Sequence, residues 1–124
     1  MSGAGDLELA HEQLPSGGQV LGVRGELDLA TVSEMEQVLA DTEQSQVLVV
    51  DLSECEFLDS SAVHVLLAAA RRAADAGGEL ALVVPEGGVR RVLEIAGVEA
   101  SVRFHSRLAQ ALGRQEADAS EPSP

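Results

Sequence analysis

The chain has no lysine, tryptophan or tyrosine, a single cysteine and two phenylalanines. Each shortage excludes something. With Cys55 alone, no intrachain disulfide and no thiolate metal cluster can form, which suits a reducing compartment. With only Phe57 and Phe104 as aromatics, the core must be built from Val, Leu, Ile and Ala. The same scarcity removes the stacking platforms that hold single-stranded nucleic acid. The 8 basic residues, all arginine, face 21 acidic ones, for a net charge of −13. Such a surface repels phosphate backbones, so nucleic acid is not an expected partner. No apolar run reaches the roughly 18 residues of a membrane span. Met1–Asp6 carries neither a basic start nor an apolar signal core. The expectation is a soluble, cytoplasmic protein without a membrane partner. His11 and His105 are isolated, no pair of histidines shows metal-ligand spacing, and no cofactor is expected.

What is present is a chain of 124 residues, 45% hydrophobic, which matches one folded domain. Residues 1–6 read as a flexible start, 7–115 as the domain and 116–124 as a disordered acidic tail with nothing to bury. Leu7–Gln13 alternates apolar and polar residues, as an edge strand does, with Leu7, Leu9 and His11 on one side. Turn residues at 14–18 lead to a second strand over 19–25, which completes a hairpin. Thr31 and Glu34 have the spacing of a capping box, followed by a helix over about 32–42. The unbroken run Val47–Val50 suits a central strand covered on both faces. A connection over 53–58 then leads to a helix over 61–76, ended by Gly77–Gly78. A buried strand over 79–85 precedes a helix in which Val89, Val92, Leu93 and Ala96 form one apolar face, with Arg90 and Arg91 on the wet side. A short strand over 101–105 and a helix over 106–115, capped by Ser106, close the domain. Strands that alternate with helices imply parallel crossovers. The expected fold class is α/β: a mixed sheet, with an N-terminal antiparallel hairpin and then parallel β-α units, packed with about four helices.

Asp59-Ser60-Ser61 interrupts the most hydrophobic part of the chain. One of these residues suffices to cap the following helix. If Asp59 caps, a serine hydroxyl is left over at a helix start. A phosphate added there would meet N–H donors and the positive end of the helix dipole. It would also bring about −1.5 to −2 charges to a small patch. Cys55 reads as a small apolar filler, and the two glycines of Glu86-Gly87-Gly88 are a weak signal for an anion-binding loop.

Gly25-Glu26-Leu27-Asp28 with Thr31, followed by Val49–Leu67 (VVDLSECEFLDSSAVHVLL), resembles the STAS domain of anti-sigma factor antagonists. The similarity continues through Ala73–Ser106, with Ile95 and Gly97 in the family's I-x-G turn, and covers about residues 7–112. The resemblance implies a binding module. In this family the first serine after the motif aspartate is phosphorylated by a partner kinase that is itself the anti-sigma factor; here that position is Ser60. Unphosphorylated protein binds the kinase and frees a sigma factor, phosphorylated protein does not, and a serine phosphatase resets it. The implied partner-binding residues are Glu26, Asp28, Asp59, Ser60, Ser61, Ala62 and His64. Glu26 and Asp28 would hold the serine loop or contact the partner, although Asp28 also suits a helix cap. Ala62 departs from the family, which usually has glycine there.

Other readings compete. The domain could be a scaffold whose Ser60 is never modified. A phospho-aspartate receiver built on Asp51 would want a lysine, and the chain has none. Hydrolysis by Ser60 and His64 would need an orienting third group and an oxyanion site, and no G-x-S-x-G elbow is present.

Overall fold

The structure, a computed structural model, describes residues 7–15, 17–42 and 46–113. The start at 1–6 and the tail at 116–124 lie outside them. The elements run β1 (Leu7–Gln13), β2 (Gln19–Leu27), α1 (Val32–Asp41), β3 (Val47–Leu58), α2 (Ser60–Asp75), β4 (Glu79–Val83), α3 (Gly88–Ile95), a 3-10 turn (Val98–Ala100) and β5 (Arg103–His105). A further helix, α4, is described over 108–113. The strands lie side by side in chain order. β1 and β2 are antiparallel, and every later pair is parallel. The expected mixed sheet is borne out.

This order decides where the helices go. Right-handed crossovers that always add a strand on the same side place their helices on one face of the sheet. The main core lies there: Leu21, Val23, Leu48, Val50, Leu80 and Leu82 point from the strands toward Met35, Leu39, Leu66 and Leu93. The alternate strand residues Val20, Val49 and Val83 point the other way, where α4 covers them with Ala111, Leu108 and Leu112. Covered on both faces, β3 needs the unbroken apolar run that its sequence carries. Past α4 the second face is open, in a depression of about 550 Å³ floored by Gly22 and Asp51.

Several local readings are corrected. Residues 53–58 are not a connection but the second half of β3, and β2 runs on past Gly25 to Leu27. Two bulges disguise this. Between Gly22↔Asp51 and Arg24↔Glu54, β2 advances two residues and β3 three; between Gly25↔Cys55 and Glu26↔Phe57, β2 advances one and β3 two. Each extra residue breaks the alternation by which a strand is recognised. Thr31 sits at the N-cap of α1 but makes no side-chain cap bond. Its hydroxyl donates to the Glu26 carbonyl (2.7 Å) and accepts from the Asp28 N–H (3.0 Å). Nor is the Ser106 hydroxyl seen capping α4. It accepts from Arg90 Nη1 (3.3 Å), while Gln110 Oε1 reaches back to the N–H groups of Ser106 (3.0 Å) and Arg107 (3.3 Å). Arg90 does not lie on a wet face. It bonds the Val84 carbonyl (2.9 Å) and Glu94 (3.2 Å), and its guanidinium stands 5.4 Å from the Phe104 ring centre. His11 Nε2 donates to Gln19 Oε1 (2.6 Å).

Gly25 explains the first residue of the G-E-L-D run. It has φ of +108° at the second bulge, a conformation costly to any residue with a Cβ. The bulge sets the register in which Leu27 and Leu58 leave the sheet side by side. Gly25→Ala is expected to cost about 1–3 kcal/mol of stability, read by urea unfolding. An unchanged midpoint would mean that the bulge relaxes without strain.

Candidate functional site

Parallel strands bring their carboxyl ends to one edge of the sheet. The loops that follow β2, β3 and β4 therefore meet there, carrying Asp28, Asp59-Ser60 and Glu86-Gly87-Gly88 respectively. The first two are bonded directly, since the Asp59 N–H donates to the Leu27 carbonyl (3.1 Å).

Asp59 is the N-cap of α2. Its Oδ1 accepts from the N–H of Ser61 (3.0 Å), from the N–H of Ala62 (3.4 Å) and from the Ser61 hydroxyl (2.5 Å). The Ser61 hydroxyl above all, then the N–H groups of Ala62, Ser61 and Leu29, holds the Asp59 carboxyl below its usual range against partial desolvation. The Leu29 contact crosses to the loop after β2. That loop is closed by Asp28, whose Oδ1 accepts from the N–H of Ala30 (3.0 Å) and Thr31 (3.1 Å). Asp28 therefore shapes its own turn, and Glu26 contributes a backbone carbonyl to the same network.

The two serines differ. Ser61 is partly buried and its hydroxyl is held by Asp59. Ser60, the first residue of α2, is exposed, and its hydroxyl makes no hydrogen bond among the described residues. His64, one turn on, is also exposed and makes no hydrogen bond with Ser60 among them. Ala62 is fully buried among the core residues, so its methyl is not part of the exposed surface. Cys55 is buried as a filler, with its thiol pushed up by burial. The loop at 86–88 makes a poor anion site, because the exposed Glu86 carboxylate lies in it. Among the described residues no cluster of His, Cys, Asp and Glu is arranged to hold a metal ion, and no helix is long and apolar enough to cross a membrane.

The exposure of four large apolar residues was not foreseen from the sequence. Leu29 is 79% exposed, Phe57 48%, Val92 38% and Ile95 77%. Leu29 stands in the short loop between β2 and α1, between Asp28 and Ala30. Phe57 was hidden by the reading of 53–58 as a connection. Val92 was assigned to an inward stripe, but only Leu93 of α3 is buried. A helix of eight residues with more apolar positions than its core contact needs was the available signal.

The sequence profile of the STAS domain matches residues 12–111. The chain belongs to the STAS domain family. Over 101 residues it is 33% identical to the anti-sigma-F factor antagonist RsfB of Mycobacterium tuberculosis, spanning 78% of this chain and 80% of that protein. The crystal structure of an anti-sigma factor antagonist from Mycobacterium paratuberculosis superposes with a TM-score of 0.81 at 26% identity, covering 94% of this chain and 99% of that one. The Bacillus cell fate determinant SpoIIAA, in its phosphorylated form, shares the fold with a TM-score of 0.66 at 20% identity, over 86% and 98% of the two chains.

The depressed Asp59 pKa fixes the sign of one prediction. A carboxylate that folding holds below its unfolded value, about 3.9 for aspartate, stabilises the fold above that pH. Its contribution is lost as the pH falls through the folded value. Asp59→Ala is expected to cost about 1 kcal/mol at pH 7, and the gap to the parent should narrow on acidification below about pH 4. Thermal melts of both proteins from pH 7 to pH 3 check this; a gap that widens at low pH contradicts it.

Proposed function

We propose that this protein is an anti-sigma factor antagonist that works by partner switching. Unphosphorylated, it binds an anti-sigma factor that is also a serine kinase, and so releases a sigma factor. Phosphorylation at Ser60 ends the binding, and a serine phosphatase restores it. The protein acts by binding, in the cytoplasm, with no catalysis of its own. ATP belongs to the kinase.

The observation that carries this reading is the contrast between Ser60 and Ser61. The free, exposed hydroxyl is the one at the first position of α2, and the neighbouring hydroxyl is occupied by the cap. A kinase can reach Ser60 without undoing the fold. The consequence of modification is electrostatic and steric. A phosphate of about −1.5 to −2 charges would stand beside the ionised Asp59, at the end of the sheet that also carries the exposed Leu29 and Phe57. An apolar contact made there would have to desolvate a dianion. The kinship with RsfB and with the Mycobacterium paratuberculosis antagonist supports the anti-sigma factor as the class of partner.

The test uses the purified anti-sigma factor kinase with the parent, Ser60→Ala and Ser60→Asp proteins. With ATP, mass spectrometry should find one added phosphate on the parent, mapping to Ser60, and none on Ser60→Ala. By calorimetry Ser60→Ala should bind like the unmodified parent, and Ser60→Asp at least tenfold more weakly, about 1.4 kcal/mol. Equal affinity of all three forms would end the switch reading.

A further inference from the structure

A groove of about 390 Å³ lies between the second half of β3 and the start of α3. Phe57, Pro85, Val89 and Val92 line it, and the charged residues in its lining are Glu56 and Glu86. Its apolar floor continues along α3. Val92 is a neighbour of Val89 on α3, and Ile95 of Val92, each pair three residues apart. Val89 packs against the edge of the core, but Val92 and Ile95 are exposed, so the fold leaves that part of α3 uncovered. Arg90 does not neutralise the rim, because its guanidinium is turned to Val84, Glu94 and Ser106. Arg91 is exposed on α3 but is not among the groove's lining residues.

We propose that this groove is a second docking point for the anti-sigma factor, and that it takes an apolar side chain flanked by lysine or arginine. The inference rests on the function proposed above and adds where the partner holds on apart from Ser60. Charge selects the occupant. Two carboxylates on the rim of an apolar groove favour a basic segment, and opposite charges across an interface speed and orient encounter. A second copy of a chain with a net charge of −13 would bring like charge to like. The arrangement divides the labour of binding. The serine end is the part that phosphate disables, and the groove, which lacks a serine or threonine in the α3 stripe, is the part that supplies constant apolar contact.

The experiment measures binding of the purified anti-sigma factor kinase to the Ser60→Ala protein and to the same protein carrying Val92→Glu, Ile95→Glu, or Glu56→Gln with Glu86→Gln. Both apolar positions are at the surface, so the variants should melt with the parent, and circular dichroism verifies this. Val92→Glu is expected to weaken binding at least tenfold, Ile95→Glu severalfold, and the double glutamine variant to lose affinity and much of its salt dependence. Parental affinity in both Val92→Glu and Ile95→Glu would overturn the groove while leaving the Ser60 switch intact, provided Ser60→Asp still binds weakly. Failure of the Ser60→Ala protein itself to bind would sink the function and the groove together. Light scattering that finds a dimer dissolved by Val92→Glu would give the groove to a second copy and also overturn the proposal.

Discussion

The carboxylate of Asp59 ties together the pieces on which everything at this end of the molecule depends. It satisfies the first N–H groups of α2, holds the Ser61 hydroxyl and reaches the backbone of Leu29 in the neighbouring loop. Its own N–H is held by the Leu27 carbonyl at the end of β2. A helix start leaves N–H groups without intrahelical partners, and a carboxylate there answers both their hydrogen bonding and their partial charge. Because Asp59 meets that demand, Ser60 does not have to. The surface serine is free because the capping work is done one residue earlier.

The rest of the fold places this cap in the open. A sheet whose parallel strands follow chain order collects the exits of β2, β3 and β4 at one end and stacks its crossover helices on one face. The buried strands need only aliphatic residues for that, which is how a chain with two phenylalanines and no other aromatics can close a core. Phe57 illustrates the point from the other side. It is one of two large rings in the protein, and it stands half exposed near Ser60 instead of filling the interior.

The sequence was legible where periodicity was regular. α1, α2, β4 and β5 lie close to where their patterns place them: the helices bury one face at regular spacing, and β4 is a short apolar run covered on both faces. It was illegible at the bulges of β3, where an inserted residue moves the next side chain to the other face and a strand reads as a loop. Capping also misled. Thr31 and Glu34 have the spacing of a box, yet the threonine hydroxyl turns to Glu26 and Asp28, because the loop after β2 needs closing more than the helix does. The apolar residues of α3 were visible but not their destination. Amphipathic spacing tells that a face is apolar, not what covers it. As for the site, Asp59-Ser60-Ser61 was conspicuous in sequence, but only geometry separates the held hydroxyl from the free one.

Strand neighbours that are also sequence neighbours have a bearing on how the chain reaches this shape. Each new strand docks on the one made just before it, with no need to wait for a distant segment to arrive. Loop-closure penalties stay modest and the order of assembly can follow the order of synthesis, from the hairpin toward β5. The capped turn at Asp59 joins β3 to its crossover helix in the middle of the chain, so its contacts with β2 and α2 need nothing from the last strand of the sheet.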